Sequence, residues 1–184
     1  MSQDVRTVYV APVPYVDVAC RLCLVTVFAV AAYGKLIGFA AFARSLRQLR
    51  VVPQRTVSVV ARLSVAAEVA IVVLLVAPFA LAAVAGFVLA LGVLAVFSGA
   101  IALSVRRGNT APCRCFGASS TPLGPRHLVR NALLLAVAAA GLAGVLTPGA
   151  LELPGTLVAG AAGLVVGAMI TVFDDIADLV KPAR

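Results

Sequence analysis

The chain has 184 residues, of which 62% are hydrophobic and 12% charged, and its mean hydropathy is +1.11. Soluble domains are about half apolar and a quarter charged, so a polytopic membrane protein is expected in place of a soluble enzyme. The net charge of +8 then reads as arginine in the loops on one face of a membrane, not as a nucleic-acid footprint, and no nucleic-acid partner is expected.

The opening MSQDVRTVYVAPVPYVDV lacks the ordered basic start, apolar centre and small-residue cleavage site of a cleavable signal peptide. Pro12 and Pro14 predict an extended lead-in over 1–17, with the first helix starting at Ala19 or Cys20. A helix needs about 20 apolar residues to cross a bilayer. The first such stretch runs from Val18 to Phe39, with Arg21 near its start and Lys35 inside its far end. Both cations are expected to snorkel to the interfaces. FARSLRQLRVVPQR follows and reads as a basic interfacial helix stopped at Pro53.

The second span is expected over Val57–Val76 and carries one carboxylate, Glu68, before a turn at Pro78. The third covers Leu81–Val105. A polar loop, RRGNTAPCRCFGASSTPLGPRH, occupies 106–127; its Gly, Pro, Ser and Asn content argues against a helix. The fourth span is expected over Leu128–Leu146 and the fifth over Thr156–Phe173, followed by an acidic tail, DDIADLVKPAR. GLAG and GAAG in the last two spans suit close helix packing and carry no functional reading.

Charge sets an orientation. Lys35, Arg44, Arg47, Arg50 and Arg55 belong to the first connection, and Arg106, Arg107, Arg114, Arg126 and Arg130 to the third. The second connection has no Lys or Arg, and the fourth carries only Glu152. The positive-inside rule then places the N-terminus outside and the C-terminus in the cytoplasm of a plasma-membrane protein.

Three groups of residues are chemical candidates. Cys113 and Cys115 flank Arg114, whose charge would favour the nucleophilic thiolate of a redox pair. The same two thiols, with His127, make an incomplete zinc set, so no metal is expected. They are otherwise plain loop cysteines. Cys20 and Cys23 share a helix face in ACRLC and read first as small apolar residues at the mouth of a span. Glu68 is an intramembrane carboxylate, a functional candidate by its position. Its candidate partners are Arg21, Lys35 and Arg62, and a structural ion pair is its alternative role.

RLCLVTVFAVAAYGKL at 21–36, AAEVAIVVLLVAP at 66–78, CRCFG at 113–117 and the pair Arg130–Asn131 occur in the order found in the MauE family of DoxX-like membrane proteins, which the chain resembles over about residues 18–147. The resemblance implies an all-α, polytopic helical bundle: a four-helix DoxX-like core over 18–147 and a fifth transmembrane helix with an acidic tail over 148–184. It implies thiol-disulfide exchange or an electron relay that supports maturation of a disulfide-containing client, as for methylamine dehydrogenase, beside a thioredoxin-like partner. A quinone is the candidate cofactor, and membrane lipid surrounds the spans. Carried over by position, Cys113, Arg114 and Cys115 are the catalytic candidates. Phe116, Gly117, Arg130, Asn131, Glu68, Arg21 and Lys35 are supporting candidates. The rival reading is a non-enzymatic assembly or chaperone subunit with structural cysteines. The charge bias puts Cys113 and Cys115 inside, whereas disulfides of exported proteins form outside. An inward-facing relay, an inverted topology and a loop folded back into the bundle each reconcile the two.

Overall fold

Lipid offers no hydrogen-bond partners to a backbone, so a chain this apolar satisfies itself in helices. A computed structural model describes residues 13–49, 52–107, 125–147, 149 and 151–179. Their regular structure is helical throughout: α1 (Val13–Ile37), α2 (Phe39–Leu49), α3 (Val57–Val76), α4 (Ala80–Arg106), α5 (Pro125–Val145) and α6 (Leu153–Leu179). All but α2 are long and apolar enough to span a bilayer, five in number. The protein is a multi-pass membrane helical bundle.

Prolines set several of the boundaries. α1 starts at Val13, earlier than the expected Ala19 or Cys20, because Pro14 falls in the first turn, where a missing N–H costs no helical bond. Pro125 likewise opens α5. Pro78 ends α3: Ala77 before it is extended (φ −60°, ψ 137°), as the residue preceding a proline prefers. The fifth span is as expected, and its helix runs on into the acidic stretch. α6 continues through Asp174, Asp175 and Asp178 to Leu179.

The spans alternate in direction from α1 to α5. At one end, Arg21 of α1 reaches the Ala77 carbonyl at 3.4 Å, and Gly144 of α5 packs on Asp17. The Tyr15 hydroxyl accepts the Glu152 N–H at 3.1 Å. The opposite end carries α2, the start of α3, the end of α4 and the start of α5. There Arg44, Arg47, Arg55, Arg62, Arg106, Arg107 and Arg126 are all exposed; this is the basic end. The core between the ends is Leu24 and Phe28 of α1, Ile71 and Leu75 of α3, Phe87 and Leu94 of α4, and Leu134 of α5. Leu81, Val96, Leu133 and Met169 are exposed on the faces that meet lipid.

α6 lies parallel to α1 along a seam of glycines. Gly160 meets Leu22, Gly163 meets the Ala19 carbonyl, and Gly167 meets Cys23 and Thr26. A Cβ on Gly163 would stand 2.2 Å from that carbonyl oxygen, so the two backbones touch where no side chain fits. Gly163→Val is therefore expected to destabilise the bundle by about 3 kcal/mol. Gly92→Ala, where a Cβ meets nothing within 4 Å, is expected to be neutral. Thermal unfolding in detergent compares the two.

Candidate functional site

Lys35 occupies the last turn of α1, and Glu68 lies midway along α3. Both are sealed from solvent, at 1% and 0% exposure. The Lys35 ammonium donates to Glu68 Oε1 in a buried ion pair. The expectation that Lys35 snorkels outward is thus corrected. A carboxylate within the same bundle outcompetes a distant interface, because each charge lowers the other's cost of leaving water. Two phenyl rings complete the setting. The Lys35 nitrogen stands 5.3 Å from the Phe42 centroid and 5.4 Å from that of Phe97, within cation–π range. Phe42 is supplied by α2, the amphipathic helix, which turns it inward and leaves Arg44 and Arg47 exposed.

α5 adds the third face. Arg130 and Asn131 are both buried. Both lie in the second turn of α5. Asn131 Nδ2 donates to Ser98 Oγ of α4 at 3.3 Å, and Ser98 in turn donates to the Leu94 carbonyl at 2.7 Å. Of the candidates read from the sequence, Lys35 and Glu68 therefore meet in a buried pair, and Asn131 is buried against Ser98, whose neighbour Phe97 faces Lys35. Phe42, Phe97 and Ser98 were not singled out. The inward face of the amphipathic α2 was the available signal for Phe42.

The other candidates lie elsewhere. Arg21 is fourteen residues before Lys35, about 21 Å along α1, and pairs with Asp17 at 2.9 Å. Arg62 is exposed and His127 half-buried. Cys20 and Cys23 are buried free thiols. The Cβ of Cys20 faces Gly141 of α5, and the backbone of Cys23 faces Gly167 of α6, which is a packing role. Cys113, Arg114, Cys115, Phe116 and Gly117 lie outside the described residues. No cluster of three metal-ligating side chains occurs among the described residues.

Two charges that cancel inside a bundle are costly to separate. Lys35→Met leaves the Glu68 carboxyl without its cation and is expected to destabilise by about 3 kcal/mol. The double change Lys35→Met, Glu68→Met removes both charges and is expected to recover most of that loss. Unfolding midpoints of the two variants in matched detergent read the difference.

The sequence pattern of the family described as methylamine utilisation protein MauE matches residues 13–144, from the start of α1 almost to the end of α5. The chain is also 37% identical over 158 residues to the methylamine utilization protein MauE of Paracoccus denitrificans, covering 84% of this chain and 81% of that relative. No solved structure matches. The chain belongs to the MauE family.

Proposed function

We propose that this protein serves methylamine utilisation as a membrane thiol-disulfide relay, with Cys113 and Cys115 as its redox pair. The observation that carries the reading is the match to the MauE family over residues 13–144, a range that encloses CRCFG. The fold supports it in one respect. α4 ends at Arg106 and α5 starts at Pro125, so the helix ends that flank both cysteines lie at the basic end, among exposed arginines.

In the proposed cycle the Cys113–Cys115 disulfide accepts two electrons from a client dithiol. One client thiolate attacks a loop sulfur, the second client thiol resolves the mixed disulfide, and the client leaves oxidised. The loop dithiol then attacks the disulfide of a thioredoxin-like partner, which leaves reduced. Arg114 favours the attacking thiolate. A disulfide spanning a single intervening residue closes a small ring, and strained disulfides are the ones that exchange readily.

Cys113→Ser or Cys115→Ser is expected to abolish maturation of the client's disulfides while leaving membrane abundance unchanged. Full maturation with both cysteines replaced would sink the redox reading and leave an assembly subunit with structural cysteines. Sidedness is a separate expectation. The positive-inside rule favours a cytoplasmic basic end, whereas direct oxidation of an exported client needs the loop on the outer face. A membrane-impermeant maleimide separates the two: labelling of Cys113 and Cys115 in intact spheroplasts after reduction is expected for direct oxidation of the client, and labelling only after lysis would replace that cycle with a relay from a cytoplasmic donor.

A further inference from the structure

α3 has two faces of different character. Val57, Ala61, Val65, Glu68, Ile71 and Leu75 are buried in the bundle. Opposite them, Val59, Arg62, Ala66, Val69, Val73 and Val76 are exposed. They recur at intervals of three and four residues, which sets them in one line along the helix. Five of the six are apolar, as a surface turned to lipid requires. The sixth is a guanidinium, and charged side chains within spans ordinarily face the interior.

Arg62 belongs to neither ion pair among the described residues, which join Arg21 to Asp17 and Lys35 to Glu68. The sequence holds no Asp or Glu between Asp17 and Glu68, or between Glu68 and Glu152. Asp174, Asp175 and Asp178 belong to α6, which packs on α1. Arg62 is five residues past Val57, about 8 Å into α3. Helical side chains lean toward the helix N-terminus, which for α3 is the basic end. Leaning that way, the guanidinium rises to the headgroup layer while its methylenes stay in the apolar layer. Its N–H fork matches the oxygens of a phosphate. A dissolved anion would meet that charge and leave the valines bare. A molecule that joins a phosphate to an acyl chain covers both.

We infer that the outer face of α3 binds an anionic phospholipid, with its phosphate on Arg62 and an acyl chain along Ala66, Val69 and Val73. α2 packs against α3 and carries Arg44 and Arg47, both exposed. Their charge raises the local positive potential, which favours a headgroup of net negative charge over a zwitterionic one. The inference does not depend on Cys113 or Cys115, nor on which side of the membrane the basic end faces, and it stands or falls apart from the thiol relay.

The full chain in detergent, titrated with phosphatidylglycerol or with phosphatidylcholine of the same acyl chains, tests the site. Native mass spectrometry counts the lipid retained. The first phosphatidylglycerol is expected to bind more tightly than phosphatidylcholine. Arg62→Gln is expected to weaken it about fivefold, and Arg62→Lys, which keeps the charge, to restore most of the loss. Arg126→Gln removes an exposed charge of α5 and is expected to leave the first lipid in place. Equal binding of the two lipids, or no effect of Arg62→Gln, would overturn the proposal. So would an equal loss in Arg126→Gln, which would mean diffuse attraction to the whole basic end. Displacement of the lipid by glycerol phosphate at the same concentration would also overturn it, by showing a site for free anions.

Discussion

A lysine and a glutamate share the apolar interior of this bundle, and the arrangement of α1 to α5 is consistent with keeping them together. Neither charge is tolerated alone in hydrocarbon, so α1 and α3 must present Lys35 and Glu68 at one level and on facing sides. This fixes the register of the two helices more tightly than Leu24, Phe28 or Ile71, which tolerate sliding against other apolar surfaces. The remaining helices serve the same centre. α2 folds back with Phe42, α4 contributes Phe97 and Ser98, and α5 contributes Asn131. One short amphipathic helix thereby joins the arginine-rich interface to the buried pair, with its arginines on one face and its phenylalanine on the other.

α6 is attached on different terms. It packs on α1 by backbone approach at Gly160, Gly163 and Gly167, and the family match ends at residue 144, before α6 begins. Its contact needs small residues and a straight partner helix, and nothing charged. Cys23 belongs to that seam. A thiol placed there supplies volume between closely packed helices. Among the described residues the two regions thus differ in what holds them: a buried ion pair within α1–α5, close backbone packing at α6.

Spans and connections were legible because hydropathy and proline act locally. α3 runs over Val57–Val76 as the sequence predicts, since Pro53 and Pro78 bracket an unbroken apolar run. The start of α1 was misplaced because a proline in the first turn is compatible with a helix, whereas the same residue later would end it. The helix continues past the fifth span into the acidic stretch because carboxylates near a helix C-terminus are only mildly unfavourable, too little to stop α6. The partner of Glu68 could be narrowed to Arg21, Lys35 and Arg62 but not chosen. Choosing requires the level at which helices meet, and that level is set by packing contacts such as Gly86 against Leu75.

The two cysteine pairs differ for the same physical reason. Cys20 and Cys23 belong to the end marked by Asp17, Arg21 and Ala77, where each thiol is enclosed by neighbouring helices. Lys35 is twelve residues beyond Cys23, about 18 Å along α1. The helix ends that flank Cys113 and Cys115, Arg106 of α4 and Pro125 of α5, lie at the far end, where exposed arginines gather. A thiolate gains from nearby positive charge and loses in apolar surroundings. The bundle offers the first environment at its basic end and the second around Cys20 and Cys23. The redox role proposed for Cys113 and Cys115 and the packing role of Cys20 and Cys23 thus differ on electrostatic grounds that spacing in the sequence does not express.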